Sequence, residues 1–146
     1  MQIDLSQAEA DALLQMEKYR IDGTAHAFPD LGGNLQIALQ SQNQRESFWL
    51  DISRRRIALT TKYQMRGRQS LVLARLDFNS PHRNPDDEEV GIPHLHLYRE
   101  GYGDKWAVPI PVDMLQQPTD AWQTLFDFMR YCRIVEAPNI TRGLFV

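Results

Sequence analysis

Between residues 34 and 78 apolar and polar side chains alternate with a period of two, in four successive runs with no helical interruption. Leu35, Ile37 and Leu39 alternate with Asn34, Gln36 and Gln40, and Phe48, Leu50 and Ile52 with Trp49 and Asp51. Ile57, Leu59, Thr61, Tyr63 and Met65 alternate with Arg56, Ala58, Thr60, Lys62 and Gln64. Val72, Ala74, Leu76 and Phe78 alternate with Leu71, Leu73, Arg75 and Asp77. Successive side chains of a strand point to opposite faces, so each run specifies one core face and one partly polar face. Short polar links such as Gln42-Asn-Gln-Arg45 and Arg66-Gly-Arg68 suit hairpins. The pattern predicts an antiparallel meander.

Helices are expected on either side of it in the sequence. Ser6-Gln-Ala-Glu9 is a capping box, and the apolar positions behind it give a helical stripe running to about Arg20. Ile21 to Gly33 reads as a loop, with Gly23, Pro29, Gly32 and Gly33. Pro93 to Tyr98 reads as a further strand, with Leu95 and Leu97 toward the core and His94, His96 and Tyr98 on the opposite face. Pro118-Thr119 opens a second helix, whose face Trp122, Leu125, Phe126, Met129 and Cys132 is expected to cover the sheet. The apolar end of the tail, Ala137 to Val146, is expected to dock. The fold class is α+β: one domain, residues 1–146, with an antiparallel sheet of five or six strands and an N-terminal and a C-terminal helix.

Composition narrows the class. A chain of 146 residues with 42% apolar side chains and three Trp can bury a real core. No run approaches the ~20 apolar residues that cross a bilayer, so no membrane partner is expected. The N-terminus has no basic region leading into an apolar one, as a secretory signal would. The single Cys132 forms no internal disulfide, which suits a reducing cytoplasm, and its place on an apolar helix face fits packing better than nucleophilic chemistry. The net charge of -3 is unevenly spread: nine cations stand against three acids from Arg45 to Arg83, and Asp86, Asp87, Glu88 and Glu89 follow. Such asymmetry marks either a polyanion-binding face beside an acidic rim or an ordinary strand surface laced with ion pairs.

Chemistry is concentrated in one stretch. Arg75 to Trp106 holds three of the four histidines, His82, His94 and His96, with Arg75, Asp77 and Arg83. Phosphodiester cleavage of RNA without a metal needs a base, an acid and a cation for the phosphorane charge. Histidine serves the proton roles near neutrality, and the arginine fork serves the third. Arg75, Asp77, His82, His94 and His96 are therefore the candidate catalytic residues. Arg56, Lys62, Arg83 and Tyr98 are the candidate RNA contacts, Tyr98 by stacking on a base. This chemistry calls for no cofactor. The alternative is a metal-dependent hydrolase with His82, His94 and His96 as ligands and Asp77 or Asp86 in support. A third alternative is a non-enzymatic inhibitor or adaptor whose acidic loop mimics phosphate charge.

The spacing Arg75-x-Asp77-x3-Pro81-His82, followed by Pro93-His94-x-His96, resembles the Arg-x-Asp-x-x-x-Pro-His…His-x-His pattern of TumE-type toxins of bacterial toxin–antitoxin pairs. The block from His82-Arg-Asn-Pro-Asp86 through Pro93-His-Leu-His to Ala107 also resembles short uncharacterised bacterial and prophage proteins. The resemblance covers about 30 residues and departs from the toxin pattern at Arg83, where a second histidine is common, and in the acidic insert. It implies a toxin acting on RNA with a cognate antitoxin as partner, with Arg75, Asp77, His82, His94 and His96 as the corresponding site. A homo-oligomer is compatible with all of these readings.

Overall fold

The alternating runs form the centre of one large sheet. The computed structural model describes residues 4–57 and 60–143. In chain order the elements are α1 (Gln7–Gln15), β1 (Lys18–Arg20), β2 (Ala25–Ala27), β3 (Asn34–Ser41), β4 (Ser47–Arg54), β5 (Thr61–Gly67), β6 (Leu71–Asp77), β7 (His82–Arg83), β8 (Glu89–Val90), β9 (His94–Leu97), β10 (Ala107–Pro109), α2 (Ala121–Tyr131), β11 (Ile134–Glu136) and β12 (Asn139–Thr141). Strands β3 to β6 pair antiparallel in succession, as the hairpin links require.

The class is α+β, but the sheet is larger than expected and mixed. Its eight strands run β10-β9-β6-β5-β4-β3-β1-β11. The β1–β11 pair is parallel, and two further two-stranded ladders form from β12 with β2 and β7 with β8. The extra strands are two or three residues long, too short to carry a readable period. Their existence depends on partners far away in sequence. The tail docks in this way, through β12 against β2; its last three residues lie outside the described ones.

Several boundaries move accordingly. α1 has the expected capping box, with Glu9 and Ser6 bonded reciprocally. It stops at Gln15, however, because Lys18–Arg20 is drawn into the sheet between β3 and β11. The third alternating run begins at Thr61: Ile57 is 88% exposed and belongs to no strand, and Leu59 lies outside the described residues. In α2, capped by Asp120, the buried face is Leu125, Phe128 and Met129, continued by Cys132. Phe126 points outward at 40% exposure, so the predicted stripe was rotated by part of a turn.

One face of the sheet carries the core. Ile37, Leu39, Phe48, Leu50, Ile52, Tyr63, Met65, Ala74, Leu76 and Leu95 are all buried in a single cluster with Leu13 of α1 and Leu125 and Phe128 of α2. Each such side chain contributes roughly 1.5–3 kcal/mol, so this face outweighs the helix caps at about 1 kcal/mol each. A register shift between Met65 and Arg66 lets both Leu73 and Ala74 enter the core. The opposite face is polar, with Gln36, Asp51, Ser53, Lys62, Gln64, Arg66, Arg75 and Asp77. No described helix is long and apolar enough to cross a membrane.

A buried cation ties the two helix ends together. Lys18 is wholly buried, and its Nζ donates to the carbonyls of Leu14 (2.9 Å), Met16 (2.8 Å) and Cys132 (2.7 Å). These close the C-terminal turns of α1 and α2, where the helix dipoles favour positive charge. Burial pushes the ammonium down to about 8 and the Cys132 thiol up to about 12, so the thiol stays protonated and inert. Lys18→Met strands three carbonyls and is expected to lower unfolding stability by about 3 kcal/mol, measured by urea denaturation. A loss below about 1 kcal/mol would show that water replaces the ammonium.

Candidate functional site

The site is set by the pairing of β6 with β9. Its register faces Asp77 with His94 and Arg75 with His96. Residues directly opposite on one face have Cβ atoms about 5 Å apart, so the spacing is fixed by the sheet rather than by loops. The same rows continue into β5, with Lys62 opposite Asp77 and Gln64 opposite Arg75. All of these lie on the polar face, as the alternation Arg75-Leu76-Asp77 and His94-Leu95-His96 demands.

An arm covers this end of that face. Residues 82–90 fold back as the β7–β8 ladder. Asn84 anchors the arm: its side chain donates to the Ala107 carbonyl and accepts the Ala107 amide, both at 2.8 Å. It thereby takes the place of a strand partner on the outer edge of β10. His82 donates from Nε2 to the Lys105 carbonyl at 2.7 Å. The arm brings the third imidazole onto the other two. Ring centroids are 4.6 Å apart for His82 and His96, 4.9 Å for His94 and His96, and 5.8 Å for His82 and His94.

Backbone carbonyls fix the tautomers. His94 Nδ1 bonds the Gly91 carbonyl at 3.0 Å, and His96 Nδ1 bonds the Asp104 carbonyl at 2.8 Å. A carbonyl only accepts, so in both neutral rings Nδ1 carries the proton and Nε2 the lone pair. By the same argument His82 keeps its lone pair on Nδ1. Burial, and next the charge of Arg75, hold His96 down to about 4, against the opposing pull of the Asp104 carbonyl; it is neutral at physiological pH. Asp77 accepts the Asn79 amide on one carboxylate oxygen. One ligating atom from each of Asp77, His94 and His96 lies within 4.8 Å of the other two, the set among the described residues that a metal would use.

Two expectations need correction, and Arg75 takes a partner of its own. His94 and His96 are 1% and 2% exposed, so they are not on an open surface patch but beneath the arm. Arg75 shares a face of β6 with Asp77, but its guanidinium binds Asp104 at 2.5 Å, and so steadies the segment whose carbonyl holds His96. Tyr98 does not share the histidine face. The chain turns after Leu97, the ring enters the core, and its hydroxyl donates to the Leu5 carbonyl and accepts the Leu5 amide, each at 2.8 Å. No base can stack on it there.

The remaining predicted contacts divide. Lys62 is exposed next to Asp77, and Arg83 is exposed beside His82 but pairs with Glu89 at 3.6 Å and donates to the Asp87 carbonyl; Arg55, not foreseen as a contact, binds Asn79 two residues beyond Asp77. Arg56 is exposed in the turn after β4, its guanidinium against Gly32. Other cations of that segment are spent internally: Arg66 grips Asp51 with two bonds, and Arg68 bonds Glu46. Asn84 and Asp104 were missed. The one signal for Asn84 was its place before Pro85, which reads as a turn; a side chain that substitutes for a strand has no signature in sequence.

Fold and site define an α+β protein with an eight-stranded mixed sheet, one end of whose polar face holds an Asp/His cluster under a short β arm. The chain belongs to a family of unknown function, DUF6978, whose profile matches residues 5–134. No curated protein and no solved structure matches it.

Two outcomes follow from this geometry. Asn84→Ala removes both bonds to Ala107 and is expected to raise protease cleavage within residues 79–91 and amide exchange at Ala107, with the sheet otherwise unchanged. In chelator, acid should destabilise the fold between pH 6.5 and pH 4. In that window the unfolded chain protonates His96 while the folded chain does not, so stability present above 6.5 is lost as pH falls toward 4. His96→Gln should flatten that part of the pH profile in thermal melts.

Proposed function

We propose that the protein cleaves phosphodiester bonds of RNA at the His82–His94–His96 cluster, as the toxin of a pair with a cognate antitoxin. The observation that carries this reading is the convergence of three imidazoles, from β7 and β9, on one point of the sheet beside Asp77. An imidazole whose one N–H is held by a backbone carbonyl, as on His82, presents its other nitrogen to take and return a proton. His82, partly exposed on the arm, connects the cluster to solvent. The positive charge of Lys62 and Arg55 beside Asp77 supports an anionic substrate, Arg83 being shared with Glu89, while Arg75 acts as a positioning residue through Asp104.

A second reading, binding without catalysis, is favoured by the exposed acidic run Asp86 to Glu89 at the turn of the arm. Total RNA incubated with the wild type, His82→Ala and His94→Ala/His96→Ala proteins separates the two. Cleavage by the wild type, reduced by roughly 100-fold or more in the double variant, is the expected result. RNA left intact by the wild type would exclude cleavage and leave the acidic arm as the working feature. Repeating the assay in chelator separates imidazole-only from metal-assisted chemistry.

A further inference from the structure

We propose that Asp77, His94 and His96 bind one divalent transition-metal ion of the zinc class. The inference rests on the reading that this cluster is the working centre, but it concerns what the cluster holds rather than what it cleaves.

The first argument is the donor set. Two imidazoles and one carboxylate, with no thiolate, suit zinc, cobalt(II) or iron(II) rather than calcium or copper(I). Ligand atoms about 2.0–2.2 Å from a shared ion lie roughly 3–4 Å from one another. The three atoms here are within 4.8 Å of each other, so closing on an ion takes side-chain adjustments of about an ångström and no movement of the strands.

The second argument is what the cluster lacks. Each ring spends its only N–H on a backbone carbonyl, Gly91 for His94 and Asp104 for His96. What remains is two lone pairs and a carboxylate, all acceptors. Among the described residues no hydrogen bond joins Asp77 to either ring. Of the cations beside the cluster, Arg75 gives its Nη1 to Asp104, and Lys62, across from Asp77 on β5, is exposed. A cation bound between them would take up all three donor groups at once.

The third argument is the surroundings. Metal-bound histidines commonly donate their other nitrogen to a carbonyl or carboxylate, which fixes ring orientation. Both rings do so here. The Arg75–Asp104 pair then secures one of the two carbonyls, and the register of β6 against β9 sets the distance from Asp77 to His94. His82 is outside the three-atom set; it stands on the arm, next to His96, as a proton acceptor rather than a ligand.

Chelator-stripped protein titrated with zinc chloride in a calorimeter, and with cobalt(II) chloride by visible absorption, tests this. One ion per chain with the absorption of a low-coordinate cobalt site is expected. Affinity should fall at least 10-fold in Asp77→Asn and in His94→Ala/His96→Ala, and change less than that in His82→Ala. Zinc should also raise the thermal midpoint of the wild type and not of the double variant, a readout that requires only that each protein shows a melt. No binding, equal binding by wild type and double variant, or a His82→Ala loss as large as the double variant's would each overturn the assignment. The two proposals fail separately: RNA cleavage that persists in chelator, by a chain that binds no zinc, sinks the metal and keeps the cleavage. Stoichiometric zinc binding with RNA left intact does the reverse.

Discussion

Strands β6 and β9 meet in a register that sets Asp77 against His94 and Arg75 against His96, and the rest of the site is built on that pairing. The register is enforced from the other side of the sheet. Leu76 and Leu95 face each other in the core and are fully buried. A slip of β9 by one residue would turn Leu95 to the polar face and both histidines into the apolar cluster. Hydrophobic burial on one face thus determines the chemistry of the other. The arm adds only what the sheet cannot supply: a third ring, and a cover held by Asn84.

How far the sequence could be read follows from the range of the forces involved. Period-two alternation is local, and it located β3, β4, β6 and β9 with their core faces, except in the first half of β6, where the register shift buries Leu71 and Leu73 instead of Val72. The Ser6–Glu9 box and the α2 stripe are local too. What escaped were elements that exist only through distant partners: β1 and β11, β2 and β12. Tyr98 was misplaced for the same reason, since its hydroxyl answers to Leu5, 93 residues away in sequence. The clustering of His82, His94 and His96 was legible because two share one strand, but their burial was not. Nothing in the stretch Asn79 to Gly91 announces that it folds over them.

The charge pattern was legible as a count and misleading as a surface. Part of the cation excess between Arg45 and Arg83 is taken up by structure: Arg66 locks to Asp51 over the Trp49 ring, Arg68 bridges to Glu46, and Arg75 holds Asp104. Pairs of this kind are individually weak when exposed, yet they remove charge from any ligand-binding face. Arg83 is paired as well, with Glu89 on the arm, while Arg45, Arg56 and Lys62 stand exposed at separate places rather than as one basic patch.

The two ends of the chain are stitched side by side. β2 has β12 as its partner, and β1 lies between β3 and β11, so the first thirty or so residues complete their pairing only against residues 134–141. The central meander closes over short hairpins, whereas β2 finds its partner only in residues 139–141. The histidine end and the stitched end sit at opposite edges of the sheet order, so the register that places Asp77, His94 and His96 rests on contacts near in sequence and is independent of the seam.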